Sequence, residues 1–393
     1  MKFGTRLLHN GNEIDPITGA ASIPLYQAST FHQADIDSPG EFDYARSGNP
    51  TRRALEQTIA ELEGGAGGSA FSSGMAAISS VFFLFSSGDH LVVSNDLYGG
   101  TFRVLTQVLP RMGIESSFVD TTDLAQVEAA IRPNTKALYI ETPSNPTLKV
   151  TDLRGAAAIA RDHGLLTIVD NTFMTPCYQR PLELGADIVV HSATKFIGGH
   201  SDVVSGLVVA REKETAERIS GLQNALGSIL GVQDSWLTMR GLKTLKARMD
   251  ASTASAAKIA KGLKQIPGVE RVFYTGLPEH PGHALQSSQA SAHGAVLSFD
   301  LGSGKKVREV LSQVRIPIVA VSLGSVESIL SYPARMSHAA MPKEEREARG
   351  VADGLLRLSV GLEDAEDILH DLEQSIEGRR LYSVGVEWRA SII

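Results

Sequence analysis

The sequence has few of the features that mark secreted or membrane proteins. Its 393 residues include a single cysteine, Cys177, so no intramolecular disulfide can form and we expect a reducing, cytoplasmic environment. The N-terminus has neither the apolar core nor the cleavage site of a signal peptide, and the most apolar run, near residue 80, is too short to cross a bilayer. These absences predict a soluble protein.

The chain also lacks an excess of basic residues. Lys and Arg number 37 against 44 Asp and Glu, which gives a formal net charge of −7. Nucleic-acid binding depends on clustered Lys and Arg, so we expect no nucleic-acid partner. Hydrophobic residues make up 42% of the chain, and this content and the length predict a large core and two packed domains.

Apolar runs ending in polar residues alternate with helix-like segments in the first half of the chain. This alternation predicts an α/β fold whose mostly parallel sheet is covered by helices on both faces. The segment from Pro50 has Leu55, Ile59 and Leu62 at helical spacing. The predicted strands are SAFSSG, DHLVVSND, KALYIETP, LLTIVDNT, ADIVVHSA and SGLVVARE.

Changes in this pattern divide the chain into four predicted parts. Residues 1–45 lack a helical or strand period and are predicted to be an extended arm. Residues 46–231 form the α/β domain, and residues 232–378 form a smaller α+β domain that opens with one long helical stretch. Residues 379–393 are a tail to which we assign no function.

The candidate site residues stand where the predicted strands end, because ligands of open α/β sheets bind at the carboxyl ends of the strands. Lys195 follows an apolar strand and precedes Phe196 and two glycines, an unusual setting for a solvated lysine. In an apolar pocket its pKa falls and the amine is suited to a Schiff base. Asp170, taken alone, could equally well be a helix cap. Together with such a lysine, however, a carboxylate is suited to hold the proton of a pyridine nitrogen.

A glycine-containing turn that opens a helix adds a phosphate-binding element. Backbone N–H groups of Gly74 and Met75 at the helix start would bind a phosphate, with the hydroxyl groups of Ser192 and Thr194. Lysine, carboxylate and phosphate site together match the requirements of pyridoxal 5'-phosphate (PLP).

Ordered motifs over about residues 4–377 closely resemble the Cys/Met-metabolism family of PLP-dependent enzymes, which includes the cystathionine β- and γ-lyases, cystathionine γ-synthase and methionine γ-lyase. The motifs are YARSGNPT, SSGMAA, DLYGGT, ETPSNPT, VDNTF, HSATKFIGGHSD, QNALG, MRGLKTL, SLGSVES and LLRLSVGLED. The resemblance implies the fold-type-I, aminotransferase-like architecture and a homotetramer built from two dimers with shared active sites.

The resemblance also implies roles for single residues. Lys195 is similar to the Schiff-base lysine, Asp170 to the pyridinium partner and Tyr98 to the aromatic residue stacked on the cofactor. Further implied residues are the phosphate cradle of Gly74, Met75, Ser192 and Thr194; Tyr44 and Arg46, which reach the phosphate from a neighbouring subunit; Asn145, which faces the ring hydroxyl; and Ser322 beside Arg357, which clamps the substrate carboxylate. Alternation in the strand LLRLSV would by itself predict that Arg357 lies on a solvated face.

Three positions discriminate within the family. By resemblance, methionine γ-lyases typically have Cys at the position of Gly100 and a Lys-Asp pair at the position of Gln223–Asn224, so this chain departs from them at both places. Val321 stands where γ-acting members usually carry Glu, although it also occurs in methionine γ-lyase-like sequences; alternatively, Val321 is a buried residue of the strand IPIVAV. The chain most resembles the Bacillus-type cystathionine β-lyases, which implies a carbon–sulfur lyase. γ-Synthase, γ-lyase and methionine γ-lyase activities remain alternatives.

Other motifs point to different classes but lack the expected context. GAGGSA follows a helix and precedes a strand, the reverse of a dinucleotide-binding turn. GHSDV misses the last glycine of the nucleophile elbow, which disfavours a serine hydrolase. His191, His200 and Asp202 lack any recognised metal-ligand spacing, so we expect no metal and a structural role for the histidines.

Overall fold

The computed structural model describes residues 1–11, 14–339 and 341–378, and the predicted tail lies outside them. A seven-stranded sheet forms its centre. The strands are β1 (Gly67–Phe71), β2 (His90–Ser94), β3 (Glu115–Val119), β4 (Thr135–Glu141), β5 (Leu166–Asp170), β6 (Ile188–Ser192) and β7 (Gly206–Ala210). Their order is β1-β7-β6-β5-β4-β2-β3. Strands β2 to β6 run parallel to one another, and β7 runs antiparallel to β6 and β1, which confirms the predicted mostly parallel sheet.

Helices cover both faces of this sheet. They are α1 (Phe3–His9), α2 (Pro50–Glu63), α3 (Gly74–Phe82), α4 (Gly99–Arg103), α5 (Leu124–Ala129), α6 (Leu153–Asp162), α7 (Thr175–Tyr178) and α8 (Lys213–Leu226). Alternate strand residues face opposite layers: Val93 packs in a cluster with α3, whereas Val92 packs in a cluster with α5 and α6. Burial on both faces explains the continuous apolar runs in the sequence.

Local signals fix the start and end of α2. Asn49 accepts hydrogen bonds from the N–H groups of Thr51 and Arg52, and Pro50 occupies the first helical position. Gly64 ends the helix with a φ of 78°, a conformation that glycine adopts without steric cost.

The N-terminal arm differs from its prediction in one place. Residues 3–9 form α1, although residues 1–45 were predicted to lack regular structure. The helix is seven residues long and buries only Leu7, so it has too few apolar positions to produce a visible period. Much of the arm that follows is exposed, including Ile14, Ile17 and Ile36.

The second half of the chain forms a smaller five-stranded sheet with its own helices. The strands β8 (Arg271–Phe273), β9 (Val296–Asp300), β10 (Ile318–Val319), β11 (Ile329–Ser331) and β12 (Leu355–Ser359) have the order β10-β11-β12-β9-β8. The helices are α9 (Val232–Lys243), α10 (Leu245–Leu263), α11 (His283–Gln289), α12 (Gly304–Gln313), α13 (Lys343–Ala348) and α14 (Ala365–Glu377). The prediction of one long helix at the start is wrong, because Thr244, with a φ of −106° and a ψ of 3°, separates α9 from α10. Within the described ranges, none of the helices has the length and apolar character needed to cross a membrane.

Candidate active site

One cavity of about 510 Å³ collects most of the predicted site residues. It lies at the carboxyl ends of β4, β5 and β6, where the turn before α3 and the segment after β10 also reach it. The predicted residues that line it are Gly74, Met75, Tyr98, Asn145, Asp170, Ser192, Thr194, Lys195, Val321, Ser322 and Arg357. This location agrees with the rule for ligand sites in open α/β sheets.

Lys195 projects into the cavity from the turn that follows β6. Its Nζ donates a hydrogen bond to Oγ of Ser322 at 2.7 Å. Burial, helped by the positive charge of Arg357, lowers the pKa of Lys195 from 10.5 to about 8. Much more of the amine is therefore neutral near neutral pH than in a solvated lysine, and the neutral amine is the form that acts as a nucleophile or a base.

A second set of contacts holds the backbone around Lys195. Arg248 of α10 is 6% exposed and donates hydrogen bonds to the carbonyl oxygens of Phe196 at 2.6 Å and Ile197 at 3.3 Å. On the other side, Gly324 has a φ of 79°, and a Cβ there would collide with the backbone of Lys195. Sequence reasoning missed Arg248, because nothing in its helix distinguishes it from the neighbouring surface Lys and Arg residues.

Asp170 ends β5 and is 6% exposed. Its Oδ1 accepts hydrogen bonds from the backbone N–H of Thr172 at 3.0 Å and from its Oγ1 at 2.6 Å. Its Oδ2 accepts a long one, 3.4 Å, from the hydroxyl group of Tyr139. Burial raises the pKa of Asp170 above its usual value, and the bonds from Thr172 offset part of the shift. A cation that enters the cavity beside Asp170 would stabilise its charged form.

The phosphate-binding element lies at the start of α3. Ser73 caps this helix by accepting the N–H of Ala76 at 3.0 Å, and the N–H groups of Gly74 and Met75 precede the first intrahelical bonds. A Cβ at Gly74 would stand 2.7 Å from Oγ of Ser192, so only glycine allows this close approach to β6.

The hydroxyl group of Thr194 is engaged elsewhere. Its Oγ1 donates to the carbonyl oxygen of Ser205 at 3.1 Å and accepts the N–H of Ser205 at 3.0 Å. A hydroxyl group has one proton to donate, so Thr194 can donate to an anion only by giving up the bond to Ser205.

Arg357 of β12 forms the opposite side of the cavity. It is 3% exposed, so the prediction from strand alternation that it lies on a solvated face is wrong. Its guanidinium group donates to Oδ1 of Asn145 at 2.9 Å, to the carbonyl oxygen of Ser322 at 2.6 Å and to Oγ of Ser331 at 3.1 Å. Its Nε is buried without a hydrogen-bond partner in the described part of the chain. Burial lowers the pKa of Arg357 to about 10.

Ser322 connects the two cationic residues. Its hydroxyl group accepts the bond from Lys195, and its carbonyl oxygen accepts the bond from Arg357. Ser322 has a φ of 96°, which is uncommon for a residue other than glycine and marks local strain at this site. Val321, its neighbour, is 64% exposed and lies beyond the end of β10, so the alternative prediction of a buried strand residue is wrong.

Sequence reasoning missed Glu141, the last residue of β4. Its Oε2 accepts the backbone N–H of Tyr98 at 2.8 Å, and it lines the cavity together with Thr172, Arg103 and Met336. Glu141 ends an apolar strand as Asp170 does, so the same strand-end rule would have identified it.

Two comparisons place this geometry among known proteins. The family model for Cys/Met metabolism PLP-dependent enzymes matches residues 4–377. The chain is 57% identical over 373 residues to the cystathionine beta-lyase MetC of Bacillus subtilis, covering 95% of this chain and 96% of that protein. It is also 54% identical over 377 residues to the cystathionine gamma-lyase of Bacillus subtilis, covering 96% of this chain and 100% of that protein.

The chain belongs to the Cys/Met metabolism family of PLP-dependent enzymes. A solved structure of cystathionine gamma-lyase from Lactobacillus plantarum complexed with L-serine is similar in fold, with a TM-score of 0.93, 49% identity and coverage of 96% of this chain and 99% of that one. The predicted fold class, the predicted family and PLP as the cofactor are thereby confirmed.

The residues of this family member fit PLP on structural grounds alone. The cavity combines a partly buried amine of lowered pKa at Lys195, a buried carboxyl of raised pKa at Asp170 and a glycine cradle at Gly74. These groups match an aldehyde, a protonated ring nitrogen and a phosphate respectively. The orphaned Nε of Arg357 leaves this side chain able to bind an additional anion.

Tyr44 and Arg46 do not line the cavity of their own chain. Tyr44 is 45% exposed. The guanidinium carbon of Arg46 lies 5.4 Å from the centre of the Tyr44 ring, and its Nε donates to Oδ1 of Asn224 at 3.1 Å. The expectation that both residues serve a neighbouring subunit stays a prediction.

The histidines that were weighed as metal ligands have other partners. Nε2 of His191 lies 2.6 Å from Oε1 of Glu63, and both side chains are fully buried. His200 bonds through Nδ1 to the carbonyl oxygen of Gly198 at 2.8 Å. In the parts of the chain that the structure describes, no three His, Cys, Asp or Glu residues are grouped closely enough to hold a metal ion.

Proposed function

We propose that this protein is a PLP-dependent carbon–sulfur lyase of the cystathionine β-lyase type. The reaction is L-cystathionine plus water to homocysteine, pyruvate and ammonia. The observation that carries the proposal is the meeting of the partly buried Lys195 with the buried Asp170 and Arg357 in one cavity, each with a shifted pKa. Similarity to cystathionine lyases over almost the whole chain supports the same reaction class.

The cavity residues divide into those that would hold the cofactor and those that would bind the substrate. Lys195 would hold PLP covalently, Asp170 would bind the ring nitrogen, Asn145 would face the ring hydroxyl and Tyr98 would cover the ring. Gly74, Met75 and Ser192 would bind the phosphate, and Thr194 would join them on giving up its bond to Ser205. Bound PLP supplies an electron sink for the carbon from which a proton is removed.

The substrate would be oriented by Arg357 and deprotonated by Lys195. A planar guanidinium group matches the shape of an α-carboxylate, and Nε of Arg357 has no hydrogen-bond partner in the described part of the chain. The substrate amine would first replace Lys195 on the cofactor, which frees the amine of Lys195. Nζ of Lys195, aligned by Ser322, would then take the proton from Cα as a general base. Asp170 would hold the proton of the ring nitrogen, and Tyr98 would accept the proton of the substrate amine or give a proton to the departing thiolate.

Val321 favours β-elimination over γ-chemistry. It is exposed in the cavity wall, directly before Ser322, and its side chain offers no charge to the far ammonium group of cystathionine.

The γ-acting alternatives stay open because one of the similar proteins is a γ-lyase. Methionine γ-lyase activity is disfavoured further, because this chain has Gly100 and the pair Gln223–Asn224 where methionine γ-lyases typically have Cys and Lys-Asp. A serine hydrolase lacks support, since Ser201 does not line the cavity.

Product analysis tests the reaction. The purified, PLP-loaded protein is incubated with L-cystathionine, and the keto acid is identified by chromatography with Lys195→Ala as the inactive control. Pyruvate as the main product supports the proposal. Mainly 2-oxobutyrate would mean γ-cleavage and would refute it.

We further propose a cytoplasmic homotetramer whose active sites are shared between subunits. Support comes from the arm and the residue that follows it, because Tyr44 and Arg46 do not line their own cavity and because Ile14, Ile17 and Ile36 are exposed. For the location, the support is the single cysteine, whose thiol is partly buried and has a pKa raised to about 12 by burial. Native mass measurement tests the tetramer.

A further inference from the structure

Glu141 is a buried carboxyl group in the cavity to which the proposed mechanism gives no role. It is 6% exposed and pairs with Asp170 in the register of β4 and β5. In-register residues of adjacent parallel strands project to the same face, about 5 Å apart along the hydrogen-bonding direction. Glu141 therefore lies beside the carboxyl group that would bind the cofactor ring.

The partner of Glu141 is the backbone of Tyr98. Oε2 of Glu141 accepts the N–H of Tyr98 at 2.8 Å, across 43 residues of sequence. Tyr98 is the residue directly before α4, and its own side chain makes no capping bond. Its ring rests against Gly100, where a Cβ would collide with the ring. A tether on the backbone and a contact under the ring thus restrict where the Tyr98 ring lies.

The surroundings of Glu141 favour its neutral form. Burial, followed by the negative charge of Asp170, raises the pKa of Glu141, although the bond from Tyr98 and the charge of Arg357 act in the opposite direction. A neutral carboxyl group still presents an oxygen that accepts an N–H. Glutamine has the same shape and the same acceptor, so it is a close mimic of Glu141 in this state.

We propose that Glu141 is a positioning residue, which holds Tyr98 in place over the cofactor through the hydrogen bond to the Tyr98 backbone. This inference rests on the proposed function, because Tyr98 has a ring to cover only if PLP is bound. It assigns Glu141 no contact with the reacting atoms. The inference therefore predicts that the effect of Glu141 on the reaction passes through Tyr98 and not through the neighbouring Asp170.

A double-mutant cycle with three replacements of Glu141 tests the inference. Glu141→Gln keeps the acceptor, whereas Glu141→Leu and the smaller Glu141→Ala remove it. Each is made in the wild-type and Tyr98→Ala backgrounds. For each protein we measure kcat and KM with L-cystathionine, the Kd of PLP, and the circular dichroism of the bound cofactor, which reports its asymmetric surroundings.

We expect Glu141→Gln to stay within about threefold of wild type in every parameter, because it retains the hydrogen bond. Glu141→Leu and Glu141→Ala should lower kcat/KM by about tenfold, weaken PLP binding and reduce the cofactor circular dichroism, since one hydrogen bond to a fixed group is lost. In the Tyr98→Ala background the same replacements should change kcat/KM by less than about twofold.

Several results would overturn the inference. The inference is wrong if Glu141→Leu behaves like wild type, or if Glu141→Gln is as impaired as Glu141→Leu. It is also wrong if the replacements lower kcat/KM as much in the Tyr98→Ala background as in wild type, or if Glu141→Leu and Glu141→Ala both fail to fold. A wild-type protein that binds no PLP or leaves L-cystathionine intact would refute the proposed function instead. The two failures are therefore distinguishable.

Discussion

Lys195 and Asp170 show how burial prepares single residues for chemistry. Burial lowers the pKa of Lys195 to about 8 and raises the pKa of Asp170. Each shift favours the neutral form, so the amine gains nucleophilic character and the carboxyl group gains stabilisation from any cation that enters. A protonated pyridine ring supplies such a cation. Both pKa shifts therefore have the same cause, which is burial of a group that would otherwise be charged.

Asp170→Asn should keep the fold and lose activity. A neutral amide cannot hold the proton of the ring nitrogen, so we expect kcat on L-cystathionine to fall by on the order of a hundredfold. Asp187→Asn, the same replacement before the amino end of β6, is the control and should stay near wild type. Absorbance at the cofactor band confirms loading. Near-normal turnover of loaded Asp170→Asn would contradict the role of this carboxylate.

Val321→Glu should redirect part of the reaction. Because Val321 is 64% exposed, a charged side chain is tolerated there and reaches the cavity. A charge-assisted hydrogen bond to the far ammonium group is worth about 1.5–3 kcal/mol, so the ratio of 2-oxobutyrate to pyruvate should rise roughly tenfold or more. Glutamine is nearly the same size as glutamate but carries no charge, so Val321→Gln should change the ratio of 2-oxobutyrate to pyruvate little. An unchanged ratio in Val321→Glu would show that this position does not select the reaction.

The strand-end rule accounts for what could be predicted about single residues. Asp170 and Lys195 follow apolar runs and were identifiable without any structure. Glu141 obeys the same rule, whereas the burial of Arg357 depends on Asn145 and Ser322, which are distant in sequence. Alternation within a strand tells which residues share a face but not which face another domain covers.

At the scale of elements, helix α10 supports the segment that carries Lys195. Arg248 satisfies the carbonyl oxygens of Phe196, Ile197 and, at 2.8 Å, Gly241. Gly241 in α9 approaches Gly198 so closely that a Cβ there would collide with its carbonyl oxygen. Two helices of the second half of the chain therefore fix a loop of the first half.

Arg248→Ala should destabilise this loop. It leaves buried carbonyl oxygens without donors, at a cost of about 1–3 kcal/mol for each unsatisfied group. We expect a lower thermal midpoint and weaker retention of PLP. Lys246→Ala on the same helix is the control, because Lys246 makes an exposed ion pair with Asp250, a type of contact that contributes about 1 kcal/mol or less. Equal losses in the two variants would contradict the supporting role of Arg248.

Long buried elements were predictable from their apolar runs, and short or exposed ones were not. Strand β3 begins with Glu115 and two serines at the edge of the sheet, where only partial burial is required. The break at Thr244 was missed because the residues on both sides continue a helical pattern. Helix α1 was not predicted because it has only one buried residue, which is too few to give a helical pattern.

At the scale of the whole molecule, the arm carries residues that its own cavity does not use. Mixing Arg46→Ala with Lys195→Ala subunits should restore part of the activity, because a hybrid dimer contains one site with both residues intact. The assay compares pyruvate formation before and after subunit exchange, with native mass measurement to demonstrate hybrids. Hybrids that form and stay as inactive as both parents would contradict shared sites.

The central claim is that Lys195 carries PLP in the cavity at the carboxyl ends of β4, β5 and β6. Borohydride reduction of the loaded protein fixes the cofactor to the lysine that holds it, and peptide mass mapping then locates the label. Lys149→Ala, which removes a lysine paired with Asp120 outside the cavity, should be labelled like wild type. The account predicts the label on Lys195 and its loss in Lys195→Ala. A label on any other lysine of the wild-type protein, or none while PLP is bound, would contradict it.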